Sequence, residues 1–343
     1  MNSSDKQITS IYDLAKAAGV SHSTVSRVLN GQGRASEETR NKILALAEKA
    51  NFRPSQRARR TTVALVANSE DHGRLDEYYI HLLLELFKQV SANDLSMEIY
   101  SKHNISKLRH AMIDGVLFMP WNNQCCEIVD SVSKSIPKVI PNAYGPSSCS
   151  VVMTDHLQSG AMAAEHLIRK GHRKASVIFV NLGTKAVQER LRGFKSAFVE
   201  AGLEFSQDLV FDLAVTSLDL AVDKTLSSGA TATFLASEGR IAQLAALLRN
   251  RGAKIPRDVS VIAMEAYGLN AFQDPPYTSI QQPLDVLASK SVSLLLRKIE
   301  TGDCAPERIL LDNLFIERES VATVASPGFT KLPEQQAAMP KTV

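Results

Sequence analysis

The chain has 343 residues, 44% of them hydrophobic, and a formal net charge of +3. That length can bury two or three cores. The polar N-terminus lacks the apolar run of a signal peptide and no apolar stretch reaches transmembrane length, so a cytoplasmic protein is expected. Four cysteines (Cys125, Cys126, Cys149, Cys304) show no CxxC spacing, which argues against a disulfide framework or a zinc site. The charge is unevenly placed: residues 1–60 carry 11 Lys/Arg against 5 Asp/Glu, and the remainder 28 against 31. A basic head on a mildly acidic body is the electrostatic footprint of a nucleic-acid-binding module joined to something else.

Ser10 reads as the cap of a first short helix, with Asp13 where a capping box needs an acceptor. Leu14, Ala17 and Ala18 give that helix an apolar side and Gly19 ends it. In AGVSHSTVSRVLNG, residues 18–31, Ser21 is the next N-cap. Val25, Val28 and Leu29 form a buried stripe and Asn30-Gly31 a stop. Ser23, Ser26, Arg27 and Asn30 share another face, with His22 one turn before Ser26. That face offers short polar groups and one arginine, and no acid. Two short helices joined by a Gly-containing turn make a helix-turn-helix, whose second helix can enter the major groove. A third helix is expected over 37–50, capped by Ser36, with Ile43, Leu44 and Ala47 inside; Asn51 and Arg53-Pro54 end it. SQRARR, 55–60, is a basic link.

From Thr61 the texture changes. Strands are expected at 61–67, 97–101, 115–119, 138–140 and 150–154, with helices near 79–91 and 106–112 between them. Asp155 closes the fifth strand. Helices at 159–170, 187–201 and 241–251 then alternate with strands at 175–180, 231–236 and 259–264. Such alternation implies parallel sheets with helices on both faces. There are too many units for one sheet, so two α/β lobes are expected, with residues after Ile280 crossing back to the first. The fold class is thus an N-terminal all-α helix-turn-helix head followed by a C-terminal α/β body of two lobes with parallel sheets. The expected domains are a DNA-binding head at 1–54, a short basic hinge at 55–61, a two-lobed domain at 62–325, and a disordered tail at 326–343. That tail holds three prolines and no apolar heptad.

Several landmarks recur in order: IYDLAKAAGVSHSTVSRVLNG and SEETRNKILALAEKANFRP in the head, then DGVLFMP (114–120), HLIRKGHRKASVIF (166–179), RLRGF (190–194), IPRDVSVIAMEA (255–266), PPYTSIQQP (275–283) and RES (318–320). Over residues 8–325 the chain resembles the LacI/GalR family of bacterial transcription regulators. The resemblance implies a homodimer on a pseudo-palindromic operator and a body similar to periplasmic sugar-binding proteins. It also implies a small effector, a sugar or sugar derivative, held between the lobes and coupled to the heads. No cofactor, metal or membrane partner is implied.

By family position, His22, Ser23 and Arg27 face base edges; the Arg27 fork can take guanine O6 and N7 together. Ser21, Thr24, Asn30, Arg34 and Thr39 are expected on phosphates. Arg57, Ala58, Arg59 and Arg60 belong to the hinge and minor groove, where the arginines add sequence-independent attraction. For the effector, the resemblance implies Arg190, Glu265, Asn142, Tyr79, Trp121, Glu238 and Gln282. Alternatives stand beside these. Trp121 equally suits a hydrophobic lid or interface, Tyr79 the core, and Gln282 a backbone partner at the crossover. The sequence also departs from the family: Ser237-Glu238 stands for Asn-Asp, Glu265-Ala266 for an Asp pair, and Asn142 for Asp.

The expected function is a repressor whose operator affinity is controlled by the effector; the alternative is an effector-independent regulator with a degenerate cleft. A plain solute-binding protein would carry a signal peptide and no helix-turn-helix. An enzyme finds no support, since a phosphate loop, HExxH and GxSxG are all missing. In the hinge, the family's leucine wedge has no counterpart: Thr61 stands at its place, and no leucine occurs between Leu46 and Leu65. A threonine is too small and polar to open a base step. The expected outcome is weak DNA bending with a steep salt dependence. A circular-permutation assay on a selected operator checks it, and a sharp central kink that persists in Thr61→Ala would refute it.

Overall fold

Ser10 begins the fold by satisfying amides that a helix N-terminus leaves bare. Its hydroxyl accepts from the Asp13 amide at 3.2 Å, and the Asp13 carboxylate accepts from the Ser10 amide at 3.0 Å. Helix α1 (Ile11–Ala18) ends at Gly19, whose φ of 72° suits glycine. Helices α2 (His22–Leu29) and α3 (Glu37–Lys49) follow. The three enclose Leu14, Ala15, Ala18, Val25, Val28, Leu29, Ile43 and Ala47. Ala17, expected on the apolar side of α1, is exposed and Ala15 is buried instead. The stripe that packs is Ile11, Leu14, Ala15 and Ala18, the i, i+3, i+4, i+7 set of a helix covered by two neighbours.

The computed structural model describes residues 8, 10–29, 35–50, 52, 61–67, 77–101, 104–119, 132–265 and 268–324. The expected stops at Asn30-Gly31, Asn51 and Arg53-Pro54, the basic hinge, the strand-following Trp121 and the tail at 326–343 lie outside them. By contact the chain divides into two compact units, residues 1–155 with 282–312, and residues 156–281 with 313–343.

The first unit holds a six-stranded, all-parallel sheet. Its strands are β1 (Thr62–Ala67), β2 (Ser96–Tyr100), β3 (Gly115–Met119), β4 (Lys138–Pro141), β5 (Ser150–Thr154) and β11 (Arg308–Leu311), in the order β11-β5-β4-β3-β1-β2. Side chains of β1 alternate between two cores. Val63 and Leu65 meet α4 (Glu77–Ala92) and α9 (Leu284–Thr301), while Ala64 and Val66 meet Tyr100, Leu108, Val132 and Ile136. Both faces are covered, which is why these strands read as unbroken apolar runs. The helix expected at 106–112 is instead a 3₁₀ segment, Ile105–His110. The chain turns at Asn104, whose side chain accepts from the Ser101 amide, and must soon rejoin the sheet, where the Asp114 amide donates to the Thr62 carbonyl. That short path favours the tighter winding.

The second unit repeats the plan with β6 (Ala175–Phe179), β7 (Val210–Asp212), β8 (Ala232–Leu235), β9 (Ser260–Glu265), β10 (Thr278–Gln281) and β12 (Leu314–Ile316). The order is β12-β10-β9-β8-β6-β7, parallel except for β12. Helices α5 (His156–Arg169) and α6 (Lys185–Glu200) cover one face through Ala163, Leu167, Phe194 and Phe198. Helices α7 (Leu218–Ser227) and α8 (Ile241–Asn250) cover the other through Ala221, Val222, Leu244 and Leu248. After β10 the chain joins the first unit at Gln282, supplies α9 and β11, and returns at Asn313.

Helices α5 and α6 touch backbone to backbone. A Cβ on Gly160 would lie 1.9 Å from the Arg190 carbonyl oxygen, and one on Gly193 would lie 2.0 Å from that of Leu157. Glycine costs a helix interior about 1 kcal/mol relative to alanine, so these two are kept for the close approach. Gly160→Ala or Gly193→Ala must push the helices apart, and overpacking of this kind costs about 1–3 kcal/mol. Either variant should lower the thermal midpoint of the full-length protein; an unchanged or raised midpoint would contradict the backbone contact.

Candidate DNA-binding face and ligand site

Helix α2 turns Val25, Val28 and Leu29 inward, and its remaining surface follows from that choice. Ser21, His22, Ser23 and Arg27 are exposed and Thr24 is half-buried. Ser21 Oγ accepts from the Thr24 amide at 3.1 Å and lies 2.9 Å from Ser23 Oγ and 2.8 Å from Thr24 Oγ1. The capping residue thus also orders its polar neighbours. Tyr12, 71% exposed on α1, stacks on the His22 ring with centroids 4.4 Å apart. Sequence reasoning did not single out Tyr12; an aromatic on the polar side of α1 was the available signal. Thr39 is half-buried, its amide donating to Ser36 Oγ at 3.2 Å. Asn30, Arg34, Arg57, Ala58, Arg59 and Arg60 lie outside the described residues. The face can donate and accept hydrogen bonds, presents one guanidinium, and contains no carboxylate.

In the first unit a polar group forms where β4 and β5 end. Asn142, at φ 53°, occupies the left-handed region that asparagine tolerates. Its amide nitrogen donates to Gln282 Oε1 at 2.6 Å and to the Tyr78 hydroxyl, and its oxygen accepts from the Thr154 amide at 2.9 Å. Thr154 Oγ1 lies 3.0 Å from Asn142 Oδ1 and 2.9 Å from Gln282 Oε1. Asn142 and Gln282 are therefore brought together. Tyr79 is not with them: it is 7% exposed within the core of α4, β1 and β3, and burial raises its hydroxyl pKa. Its neighbour Tyr78 joins the polar group instead, because successive helical residues point about 100° apart. Trp121 lies outside the described residues.

In the second unit the strand ends carry charge. Arg190, on α6, is 5% exposed. Its Nη1 donates to the Ala236 carbonyl at 2.9 Å and its Nη2 lies 3.6 Å from Glu238 Oε1. Its Nε is buried and has no hydrogen-bond partner among the described residues. His156, which starts α5, is held neutral at pH 7: burial, then the nearby Arg190 charge, lowers its pKa well below the usual histidine value. Glu265, expected to share a ligand with Arg190, has other commitments. Oε1 accepts from the Asn270 amide at 2.8 Å, and Oε2 pairs with Arg318 Nη1 at 3.0 Å. Arg318 also donates to Ser279 Oγ at 3.0 Å. Glu265 therefore ties the RES segment to the sheet, and its extra methylene serves an internal ion pair. RES was visible as a landmark, but nothing in one sequence paired Arg318 with residue 265.

Among the described residues no group of three or more His, Cys, Asp or Glu could hold a metal, and no helix is long and apolar enough to cross a membrane. Residues 10–55 match the family described as bacterial regulatory proteins, lacI family, and residues 164–321 match the periplasmic binding protein-like domain. The chain is 30% identical over 322 residues to the HTH-type transcriptional repressor PurR of Aliivibrio fischeri (strain MJ11), covering 86% of this chain and 93% of that protein. It is 26% identical over 328 residues to the ribose operon repressor of Haemophilus influenzae (strain ATCC 51907 / DSM 11121 / KW20 / Rd), covering 90% and 97%. A solved complex of the transcriptional regulator CelR with cellobiose superposes with a TM-score of 0.67 at 26% identity, covering 91% of this chain and 99% of that one.

The second unit buries three histidines in neutral form. Burial lowers His156 well below 6.5, His166 to about 4, and His172 below 6.5 as well. The unfolded chain, with histidines near 6.5, binds more protons than the folded one below that pH, so stability falls as pH drops from 6.5 towards 4. A urea midpoint at pH 5 should lie below that at pH 7; equal midpoints would refute the sign.

Proposed function

The chain belongs to the lacI family of bacterial regulatory proteins, and from that premise we propose a repressor that binds a pseudo-palindromic operator as a homodimer and is controlled by a small polyhydroxylated effector. The observation that carries the effector is Arg190. A buried guanidinium N–H without an acceptor is costly, and a ligand oxygen at Nε would remove that cost. The same observation favours this reading over an effector-independent regulator, in which no described protein group takes the Nε hydrogen. Binding of cellobiose by CelR and the name of the ribose operon repressor support a sugar as the class.

On DNA, Arg27 takes a guanine edge, with His22 and Ser23 as adjustable partners. Ser21, Thr24 and Thr39 hold phosphates. Asn30, Arg34 and the hinge residues Arg57, Ala58, Arg59 and Arg60 keep the backbone and minor-groove roles their family positions imply. The acid-free face of α2 supports this orientation. A dimer is supported by α4, where Ile80, Leu84 and Phe87 are 36%, 47% and 53% exposed at i, i+4 and i+7. A two-fold axis beside that stripe would bury it against its own copy.

The test combines three variants with operator binding by fluorescence anisotropy. Arg27→Ala should lose about 1–3 kcal/mol of discrimination at one base pair. Phe87→Glu should give a monomer by light scattering and weaken operator binding. Arg190→Gln should abolish the response to effector while ligand-free operator binding stays within about twofold, since the bound ligand's oxygens lose their donor at a cost of about 1–3 kcal/mol. An Arg190→Gln protein that still answers ligand removes Arg190 from the site.

A further inference from the structure

We propose that Glu238 is a specificity-determining residue that makes the Arg190 subsite select neutral hydroxyl groups and reject carboxylates. This rests on the reading that Arg190 binds the effector. The geometry is specific. Glu238 follows β8, and its Oε1 stands 3.6 Å from Arg190 Nη2, with the two side chains 10% and 6% exposed. The separation is close enough for charge to act but too long for a hydrogen bond between them. Both groups are largely out of water, so solvent and salt screen them little.

A group entering this subsite meets a cation and an anion together. A hydroxyl has one hydrogen to donate and lone pairs to accept with. It can accept from Arg190, including the buried Nε that lacks a partner, while donating to Glu238. A carboxylate has no hydrogen for Glu238 and faces its like charge. An ammonium suits Glu238 but opposes Arg190. His156 does not tip the balance, because burial beside Arg190 keeps it neutral at pH 7. An unopposed arginine would favour acids through paired, charge-assisted hydrogen bonds. Glu238 cancels that preference.

The experiment uses full-length protein and matched rings that differ in one group: glucose, glucuronate and glucosamine; galactose, galacturonate and galactosamine. Ribose and cellobiose are added as further neutral sugars. Calorimetry is run on the native protein, Glu238→Gln and Arg190→Gln. The native protein should bind at least one neutral sugar, and its acid counterpart at least about tenfold more weakly, since like charges placed together are costly. Glu238→Gln keeps the shape and should close that gap by about tenfold or more. An acid that binds the native protein as tightly as its neutral partner overturns the proposal, whatever the variants do. So does a gap unchanged in Glu238→Gln. If a neutral sugar binds equally to native protein and Arg190→Gln, the effector reading fails at Arg190 and this proposal with it. If no compound binds, the sugar reading itself falls.

Discussion

The contact between α5 and α6 is the constraint on which the placement of Arg190 depends. At Gly160 and Gly193 the helices meet through backbone alone, with the Arg190 carbonyl where a Cβ of residue 160 would be. Backbone contact fixes the height of α6 over the sheet more tightly than interlocked side chains, because no rotamer can adjust it. That height decides whether Arg190 Nη1 reaches the Ala236 carbonyl, and so where its remaining donors point. It also brings His156, at the start of α5, near the same guanidinium. The aromatic packing below, with Phe194 and Phe198 stacked at 5.0 Å and Phe194 and Phe234 at 5.7 Å, anchors the next turn of α6.

Much of this architecture is legible in the chain because its signals are local. Capping by Ser10 and Asp13 needs three residues of spacing; the buried stripe of α2 needs five. Unbroken apolar runs bounded by helical patterns give parallel strands, and the observed bounds differ from the sequence reading mostly by one or two residues at each end. The failures share a different cause. Ala15 or Ala17, and Tyr78 or Tyr79, are choices between adjacent positions, decided by how many neighbours cover a helix rather than by its own period. Glu265 failed for want of a partner: Arg318 lies far along the chain, and only the β10–β12 pairing brings the RES segment back beside the sheet. Long-range pairing of that kind leaves no trace in one sequence.

In the DNA-binding head, helix capping and the order of the polar face share residues. Ser21 both ends the turn and orders Ser23 and Thr24, so the polar face is held by the same bonds that start the helix. Tyr12 does the equivalent for His22, supporting its ring from α1. A side chain stacked in this way has less rotamer freedom left to lose when a partner binds. The acid-free surface then allows approach to phosphates without local repulsion, while the mildly acidic body discourages attachment to DNA in the wrong orientation.

The strand ends of the two units reach neutrality by different routes. In the first, Asn142 uses both amide hydrogens and its oxygen within a group of amides and hydroxyls, and none of these bonded partners carries a formal charge. An aspartate there would find donors in the Tyr78 hydroxyl and the Thr154 amide, so the position could hold an acid by hydrogen bonding alone. It would, however, bring an anion with no cation among its bonded partners. In the second unit Arg190 and Glu238 offset each other while His156 stays uncharged. Glu265 is charged as well but is consumed by Arg318. Each set of groups therefore offers directional hydrogen bonds without net charge. Hydroxyl groups answer that combination best, since each both donates and accepts, whereas an ionic ligand would leave one member of every pair opposed.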